Sequence, residues 1–163
     1  MDNQKKILVI DDEIAIGEII RDTLSSEFSV DFASHPDDAL EALKDPTYSI
    51  VLSDINMPKI PGTELVRILR SQGNVSPVMF ISGYVSKETA LVALRLGVAD
   101  IIEKPFDPDL LLESVKRVLE IDKRKTQLIL DRANGGISAE TIAKKEKMLG
   151  LLQVVNEKKK TGS

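Results

Sequence analysis

The sequence predicts an α/β protein with a doubly wound parallel sheet, followed by an α-helical extension. Within residues 1–122, short apolar runs alternate with helix-length amphipathic segments, and none of the first four runs is joined to the next by a hairpin-length turn. Several runs are unbroken rather than alternating, which indicates strands buried on both faces, as in a parallel sheet. Five β-α units of this kind build a doubly wound sheet.

The strands and helices can be read in order along the chain. The predicted strands are residues 6–10, 29–33, 50–53, 78–82 and 101–103. The predicted helices span about residues 14–25, 36–44, 62–71 and 86–96, and a fifth begins near residue 107.

Two of these helices carry clear boundary signals. Pro36 suits the first turn of the second helix, and the following Asp37 and Asp38 are favourable near the positive end of its dipole. Ser86 is a suitable N-cap for the fourth helix, and Gly97 marks its end.

Composition excludes several classes of protein. The chain has 163 residues, of which 42% are hydrophobic, so most of it is expected to fold around one core. It contains no cysteine, which excludes disulfides and thiolate metal sites. The polar start is not a signal peptide, and no apolar run approaches 18 residues. We therefore expect a soluble cytoplasmic protein.

Charge divides the chain into two parts. Residues 1–122 contain 12 Lys and Arg against 22 Asp and Glu, a net charge of −10. Residues 123–163 contain 10 basic and 4 acidic residues, a net charge of +6. We predict an acidic globular domain at 1–122 and a basic helical extension at 123–163.

Polar residues stand where the predicted strands end. Asp11 and Asp12 follow the first strand, Asp54 the third, Ser82 the fourth and Lys104 the fifth. Ligands of doubly wound sheets bind at this edge, so these side chains are expected to converge. Converging carboxylates repel unless a cation lies among them, and an all-oxygen ligand set suits Mg²⁺. One carboxylate could then be a phosphoryl acceptor, with the lysine and hydroxyl contacting the transferred group.

Each residue also has an ordinary structural explanation when taken alone. Asp11 and Asp12 could be acids at a helix N-terminus, and Asp54 could form a turn. Ser82 could likewise be a turn residue and Lys104 a surface lysine. The ordinary explanation requires several independent coincidences, which favours a site.

Four short motifs contain these residues: "DDE" at 11–13, "SDINMPKIPG" at 53–62, "ISGY" at 81–84 and "EKPF" at 103–106. Together they resemble the response regulator receiver (CheY-like) family of two-component signalling, over about residues 5–122. The resemblance implies a flavodoxin-like sheet with strand order 2-1-3-4-5.

The resemblance also implies roles for the acidic residues. Asp54 would accept a phosphoryl group from a histidine kinase and contact Mg²⁺. Asp12 would bind the metal directly, Asp11 through water, and Asn56 through its backbone carbonyl.

The remaining motif residues would respond to the phosphoryl group. Ser82 fits the switch hydroxyl, and Lys104 the phosphate-binding lysine, usually followed by a cis bond to proline, here Pro105. The chain departs from the family at Ile101, where a tyrosine or phenylalanine is usual. This puts in doubt the family's usual switch on the face formed by the fourth helix, the fifth strand and the fifth helix. Tyr84 could cover the site and slow hydrolysis, or be a passive surface residue.

The extension is predicted to be a helical hairpin. The fifth helix can continue until the Asn134-Gly135-Gly136 turn, and a second helix opens at Ser138. That helix carries apolar residues on one side, at Met148, Leu151, Leu152 and Val155. Residues 156–163 are expected to be a frayed tail.

Two classes of function fit these features. The chain could be a stand-alone phosphorylation-switched protein whose extension mediates homodimerisation or partner docking. It could instead be the regulatory part of a larger DNA-binding or catalytic regulator. The basic residues of the extension are interspersed with an apolar stripe, so nucleic-acid binding is the less favoured use of it. Beyond self-phosphorylation and self-dephosphorylation, no enzyme activity is expected.

Overall fold

The computed structural model describes residues 4–135, 138, 140–141 and 143–151. Five strands and five helices alternate along the chain. The strands are β1 (Lys6–Ile10), β2 (Ser29–Ala33), β3 (Tyr48–Asp54), β4 (Val78–Ser82) and β5 (Asp100–Glu103). The helices are α1 (Ile14–Leu24), α2 (Pro36–Ala42), α3 (Gly62–Ser71), α4 (Lys87–Arg95) and α5 (Pro108–Ala133).

The five strands form one parallel sheet in the order β2-β1-β3-β4-β5. This confirms the predicted fold class and strand order. The expected helix signals are also present. The Ser86 hydroxyl accepts a hydrogen bond from the Thr89 N–H at 3.1 Å, and Gly97 has a φ of 69° after the end of α4.

Strand β3 is longer at both ends than the predicted 50–53. At its start Tyr48 is buried and pairs with Lys6 of β1, and at its end Asp54 pairs with Ile81 of β4. The reason is the central position of β3, which has a neighbouring strand on each side to complete its ladder. The longer strand brings the Asp54 carboxylate onto the end of the sheet itself.

The sheet separates two hydrophobic clusters. Alternate residues of β1 contribute to opposite faces: Ile7 and Val9 to one cluster, Leu8 and Ile10 to the other. Helices α1 and α5 cover the first cluster, and α2, α3 and α4 cover the second. Burial on both faces explains why the strand sequences are unbroken apolar runs.

The chain divides into two compact units, Met1–Leu119 and Glu120–Ser163. Helix α5 is continuous over Pro108–Ala133, as the sequence predicts, and Gly135 follows it with a φ of 70°. Residues 140–141 and 143–151 are helical, and the Ser138 hydroxyl accepts a 3.3 Å hydrogen bond from the Thr141 N–H. Gly136, Leu152, Val155 and the predicted tail lie outside the described residues.

Burial within Glu120–Ser163 differs from the predicted stripe. Among the described residues of this unit, Ile121, Leu128 and Leu149 are buried, whereas Ile129, Leu130, Met148 and Leu151 are exposed. Met148 and Leu151 belong to the predicted apolar side of the second helix and are exposed, whereas Leu149, which was not assigned to that side, is buried. Across the described residues, no helix has the length and apolar character needed to cross a membrane.

Candidate functional site

The parallel register aligns the carboxyl ends of the strands at one edge of the sheet. Ile10 at the end of β1 pairs with Ala33 of β2 and Ser53 of β3, and Ser82 at the end of β4 pairs with Glu103 of β5. Residues that directly follow these positions must therefore meet at the same edge. This is the physical origin of the site.

Three carboxylates meet there. One carboxylate oxygen from each of Asp11, Asp12 and Asp54 lies within 4.8 Å of the others. Asp11 and Asp54 are buried, at 1% and 5% exposure, whereas Asp12 is exposed. The cluster thus opens to solvent on one side and is closed by the sheet on the other.

Lys104 supplies the positive charge of the cluster. Its Nζ lies 2.8 Å from Asp11 Oδ2, 3.1 Å from Asp54 Oδ2 and 3.3 Å from a carboxylate oxygen of Glu13. Burial lowers the pKa of Lys104, but the hydrogen bonds that it donates to Asp11 and Asp54 outweigh this effect and hold the pKa above its usual range. The lysine therefore stays charged at neutral pH. The bond between Lys104 and Pro105 is cis, as the resemblance implies.

Asp11 experiences opposing influences. Burial raises its pKa, and the hydrogen bonds from Lys104 and the Glu13 N–H only partly offset that effect. The net pKa is raised above the ordinary value of an aspartate. A buried carboxylate with this balance benefits from a further positive charge beside it.

Short backbone contacts orient both buried carboxylates. Asp11 Oδ1 accepts from the Glu13 N–H at 2.9 Å, and Asp54 Oδ1 accepts from the Asn56 N–H at 3.0 Å. Each aspartate thus uses one oxygen to fix its own turn and the other to bind Lys104. The turn-forming role considered for Asp54 is real, and it coexists with membership of the cluster.

The β3-α3 loop requires a glycine at its end. Gly62 N–H donates to the Ile55 carbonyl at 2.9 Å, which folds the loop back onto the end of β3. A Cβ at position 62 would lie 2.2 Å from the carbonyl oxygen of Asp54. Lys59, in the same loop, has a φ of 73°, a conformation that costs a non-glycine residue energy. The loop is therefore built tightly around Asp54.

The Ser82 hydroxyl has partners other than the carboxylates. It donates to the Tyr84 carbonyl at 2.9 Å and accepts from Asn56 Nδ2, also at 2.9 Å. Ser82 is fully buried, and the Tyr84 side chain is 73% exposed. Ile101, at the position of the usual aromatic, is half-buried against the cluster that contains Phe80.

The structure thus brings Asp11, Asp12, Asp54 and Lys104 together, as the sequence predicts. It adds two participants that sequence reasoning did not assign. Glu13 belongs to the quoted "DDE" motif, so the sequence contained a signal from which its contact with Lys104 could have been predicted. The sequence contained no such signal for the Asn56 side-chain amide, because its contact with Ser82 depends on the conformation of two separate loops.

The donor set fits a hard divalent cation. The three clustered side chains offer only carboxylate oxygens, and Lys104 neutralises only part of their charge. An oxygen-rich, incompletely neutralised cluster of this kind suits Mg²⁺, and only with such a cation bound would it accept a negatively charged phosphoryl group. Within the part of the chain that the structure describes, neither histidine nor cysteine belongs to this cluster.

Comparison with known proteins gives consistent matches. The family model described as "Response regulator receiver domain" matches residues 7–116. The transcriptional regulatory protein FlgR of Helicobacter pylori is 36% identical over 124 residues, covering 73% of this chain and 32% of that protein. The C4-dicarboxylate transport transcriptional regulatory protein DctD of Pseudomonas aeruginosa is 40% identical, covering 74% and 26%.

Solved structures give the same result. A CheY-like response regulator receiver domain protein of Methanospirillum hungatei superposes with a TM-score of 0.72 at 28% identity, covering 76% of this chain and 99% of that one. NtrX of Brucella abortus superposes with a TM-score of 0.70 at 35% identity, covering 76% and 29%. The chain thus spans about a quarter to a third of FlgR, DctD and NtrX.

Proposed function

Because the chain belongs to the response regulator receiver domain family, we propose that it is a phosphorylation-dependent response regulator of a two-component system, with Asp54 as the phosphoryl acceptor. The observation that carries the proposal is the setting of Asp54. Its carboxylate is buried at the end of the central strand β3, within 4.8 Å of two other carboxylates, and bonded to Lys104. In this setting a carboxylate can act as a nucleophile toward phosphorus.

The reaction assigned to Asp54 is a displacement at phosphorus. A carboxylate oxygen of Asp54 forms the new P–O bond, while the P–N bond of a phosphohistidine donor breaks and its electron pair returns to the imidazole. The Asn56 N–H, 3.0 Å from Oδ1, orients the carboxylate for this attack. Lys104 contributes a fixed positive charge 3.1 Å from Oδ2, close to where the negatively charged phosphoryl oxygens arrive during transfer.

Mg²⁺ is the proposed cofactor. Asp12 and Asp54 would bind it directly, Asp11 through water, and Asn56 through its backbone carbonyl. When bound, the ion offsets the repulsion between these carboxylates and the phosphoryl oxygens. Asp12→Ala should weaken Mg²⁺ binding by removing the exposed carboxylate of the cluster, which a Mg²⁺ titration followed by NMR of the amides at residues 11–13 can measure.

The partner proposed for phosphorylation is a histidine kinase or a phosphotransfer protein. Receiver domains of response regulators interact with histidine kinases, and the family match extends that expectation to this chain. Such a role implies a cytoplasmic location and no catalysis beyond self-phosphorylation and self-dephosphorylation. Phosphotransfer from a purified kinase to the wild-type chain, and its loss in Asp54→Asn, would test both acceptor and partner class.

Homodimerisation through the extension is the proposed output. It is supported by four exposed apolar side chains among the described residues of Glu120–Ser163, at Ile129, Leu130, Met148 and Leu151. Pairing with a second copy would remove apolar surface of this kind from water, which is favourable. A coupling of about 1–3 kcal/mol would suffice for phosphorylation to bias assembly. Sedimentation of the whole chain beside a version ending near Asp122 tests this. Monomers in both cases at tens of micromolar, with and without a phosphoryl mimic, would favour docking to another partner.

A second candidate is the regulatory portion of a larger regulator. It is favoured by the lengths of FlgR and DctD, whose names describe transcriptional regulatory proteins and of which the chain spans about a third or less. If the basic extension itself contacts DNA, a gel shift on mixed DNA should show binding that weakens steeply with salt. Absence of binding at low salt would leave the extension as an interface or a linker.

A further inference from the structure

The side chain of Asn56 connects the acceptor loop with the loop after β4. Its Nδ2 lies 2.9 Å from Ser82 Oγ and 3.4 Å from the carbonyl oxygen of Tyr84. Ser82 Oγ donates to the same carbonyl at 2.9 Å. These three groups (the Asn56 amide, the Ser82 hydroxyl and the Tyr84 carbonyl) form a closed hydrogen-bonded network.

The network occupies the single proton of the Ser82 hydroxyl. A serine hydroxyl has one proton to donate, and here it is directed to the Tyr84 carbonyl. The Asn56 amide donates to the oxygen of the same hydroxyl and so stabilises this orientation. Ser82 can donate to an oxygen on Asp54 only after its hydroxyl turns away from the Tyr84 carbonyl.

Asn56 also contacts the acceptor directly. Its backbone N–H donates to Asp54 Oδ1 at 3.0 Å, while its side chain donates to Ser82 Oγ at 2.9 Å. One residue therefore connects the acceptor carboxylate to the hydroxyl that is expected to respond to phosphorylation. Ser82 is completely buried, whereas Asn56 is exposed. When the Asn56 amide leaves the Ser82 hydroxyl, it can therefore donate to water and does not become an unsatisfied donor.

We propose that the Asn56 side-chain amide is a latch, which holds the Ser82 hydroxyl in its resting orientation and opposes the switch. The proposal rests on Asp54 being the phosphoryl acceptor, and it gives Asn56 a positioning role separate from its backbone carbonyl. Removing the amide lowers the cost of turning the hydroxyl toward the phosphoryl group. The phosphorylated conformation is then reached more easily.

The test is the affinity of the whole chain for beryllofluoride, a phosphoryl mimic, in the presence of Mg²⁺. Asn56→Ala should bind the mimic roughly 2- to 10-fold more tightly than wild type, the range expected for one net hydrogen bond. In a Ser82→Ala background the same substitution should change the affinity less than about twofold. In a Ser82→Thr background, which keeps a hydroxyl, the tightening should return.

This cycle separates the latch from an effect through the metal. An altered metal site would change the affinity equally with and without the Ser82 hydroxyl. An equal change in both backgrounds, or weaker binding of Asn56→Ala, would overturn the latch. Failure of wild type to bind beryllofluoride at all would instead overturn the acceptor role of Asp54.

A second measurement needs no mimic. In the free protein, Ser82→Ala should shift the NMR resonance of the Asn56 side-chain amide, because it removes that amide's 2.9 Å acceptor. The amide protons should also exchange faster with water. An unchanged resonance and exchange rate would show that the hydrogen bond is absent in solution and would contradict the proposal.

Discussion

Substituting Gly62 with alanine probes how the acceptor loop is constructed. The added Cβ would lie 2.2 Å from the carbonyl oxygen of Asp54 and 3.1 Å from the Cα of Ile55. The first distance is roughly 1 Å shorter than any relaxed contact between non-bonded heavy atoms. Both neighbours are main-chain atoms and cannot rotate away, so the start of α3 and the end of β3 must move apart.

The cost can be worked from that displacement. Overpacking that shifts the backbone costs about 1–3 kcal/mol, and the main-chain position of the clash favours the upper half of that range. The shift also moves Asp54 relative to Lys104, whose Nζ is 3.1 Å from its carboxylate. A misplacement of about 1 Å can slow a positioned reaction about 100-fold, so phosphorylation should be impaired more than stability.

Urea denaturation and the rate of phosphorylation by a small phosphodonor are the two assays. Gly83→Ala is the matched control, because Gly83 also lies near the site and no other atom is within 4 Å of its added Cβ. The free energy of unfolding of Gly83→Ala should stay within about 0.5 kcal/mol of the wild-type value. The steric reasoning is refuted if Gly62→Ala matches this control in stability and is phosphorylated at the wild-type rate.

Three further predictions concern charge and switching. Hydrogen bonds from Lys6, which has the largest effect, and from Thr47 lower the pKa of Asp45 from 3.8 to about 2. The contribution of the ionised Asp45 to stability is therefore present above pH 3.8 and disappears as pH falls toward 2. In denaturation experiments from neutral pH down to pH 2, Asp45→Asn should have a lower free energy of unfolding than wild type at neutral pH, and this difference should vanish near pH 2. A difference that does not depend on pH would contradict the prediction. Lys104→Ala leaves two buried carboxylates without their cation and should cost about 3 kcal/mol, partly recovered on adding Mg²⁺. Thermal unfolding with and without Mg²⁺ tests this, and an unfolding midpoint unchanged from wild type would count against it. The variant should also lose the coupling between phosphorylation and output. Because Ile101 replaces the usual aromatic, a phosphoryl mimic should change hydrogen exchange mainly in residues 82–88; large changes centred on β5 instead would contradict the prediction.

The position of the site was predictable because parallel strands place their carboxyl ends together. Asp11, Asp54 and Lys104 are far apart in sequence, yet each lies at the end of a short segment whose apolar residues predict a strand. Once the runs are assigned to one parallel sheet, convergence at one edge follows. The 2.8 Å and 3.1 Å contacts of Lys104 agree with that reasoning.

The contacts between loops were not predictable in the same way. The Asn56–Ser82 hydrogen bond joins a loop residue, Asn56, to the last residue of β4, Ser82. Hydrophobic periodicity carries no information about the conformation of loops and strand ends. The same limit applies to β3, whose start at Tyr48 depends on pairing with Lys6 rather than on a local apolar run.

The extension illustrates a different limit. Its helices were predicted from caps and periodicity, but the buried residues were not. Several adjacent apolar residues, such as Leu128, Ile129 and Leu130, allow more than one face of α5 to be the buried one. Only Leu128 of these three is buried, and which neighbour covers a helix is a tertiary property that the periodicity does not specify.

The chemical identity of the phosphorylated residue tests the role of Asp54 most directly. The chain is treated with a small phosphodonor and Mg²⁺, the acyl phosphate is reduced with borohydride to homoserine, and the modified peptide is sequenced by mass spectrometry. We expect homoserine at position 54, none at Asp11 or Asp12, and no modification in Asp54→Asn or without Mg²⁺. Homoserine at another position, or undiminished phosphorylation of Asp54→Asn, would show that Asp54 is not the acceptor.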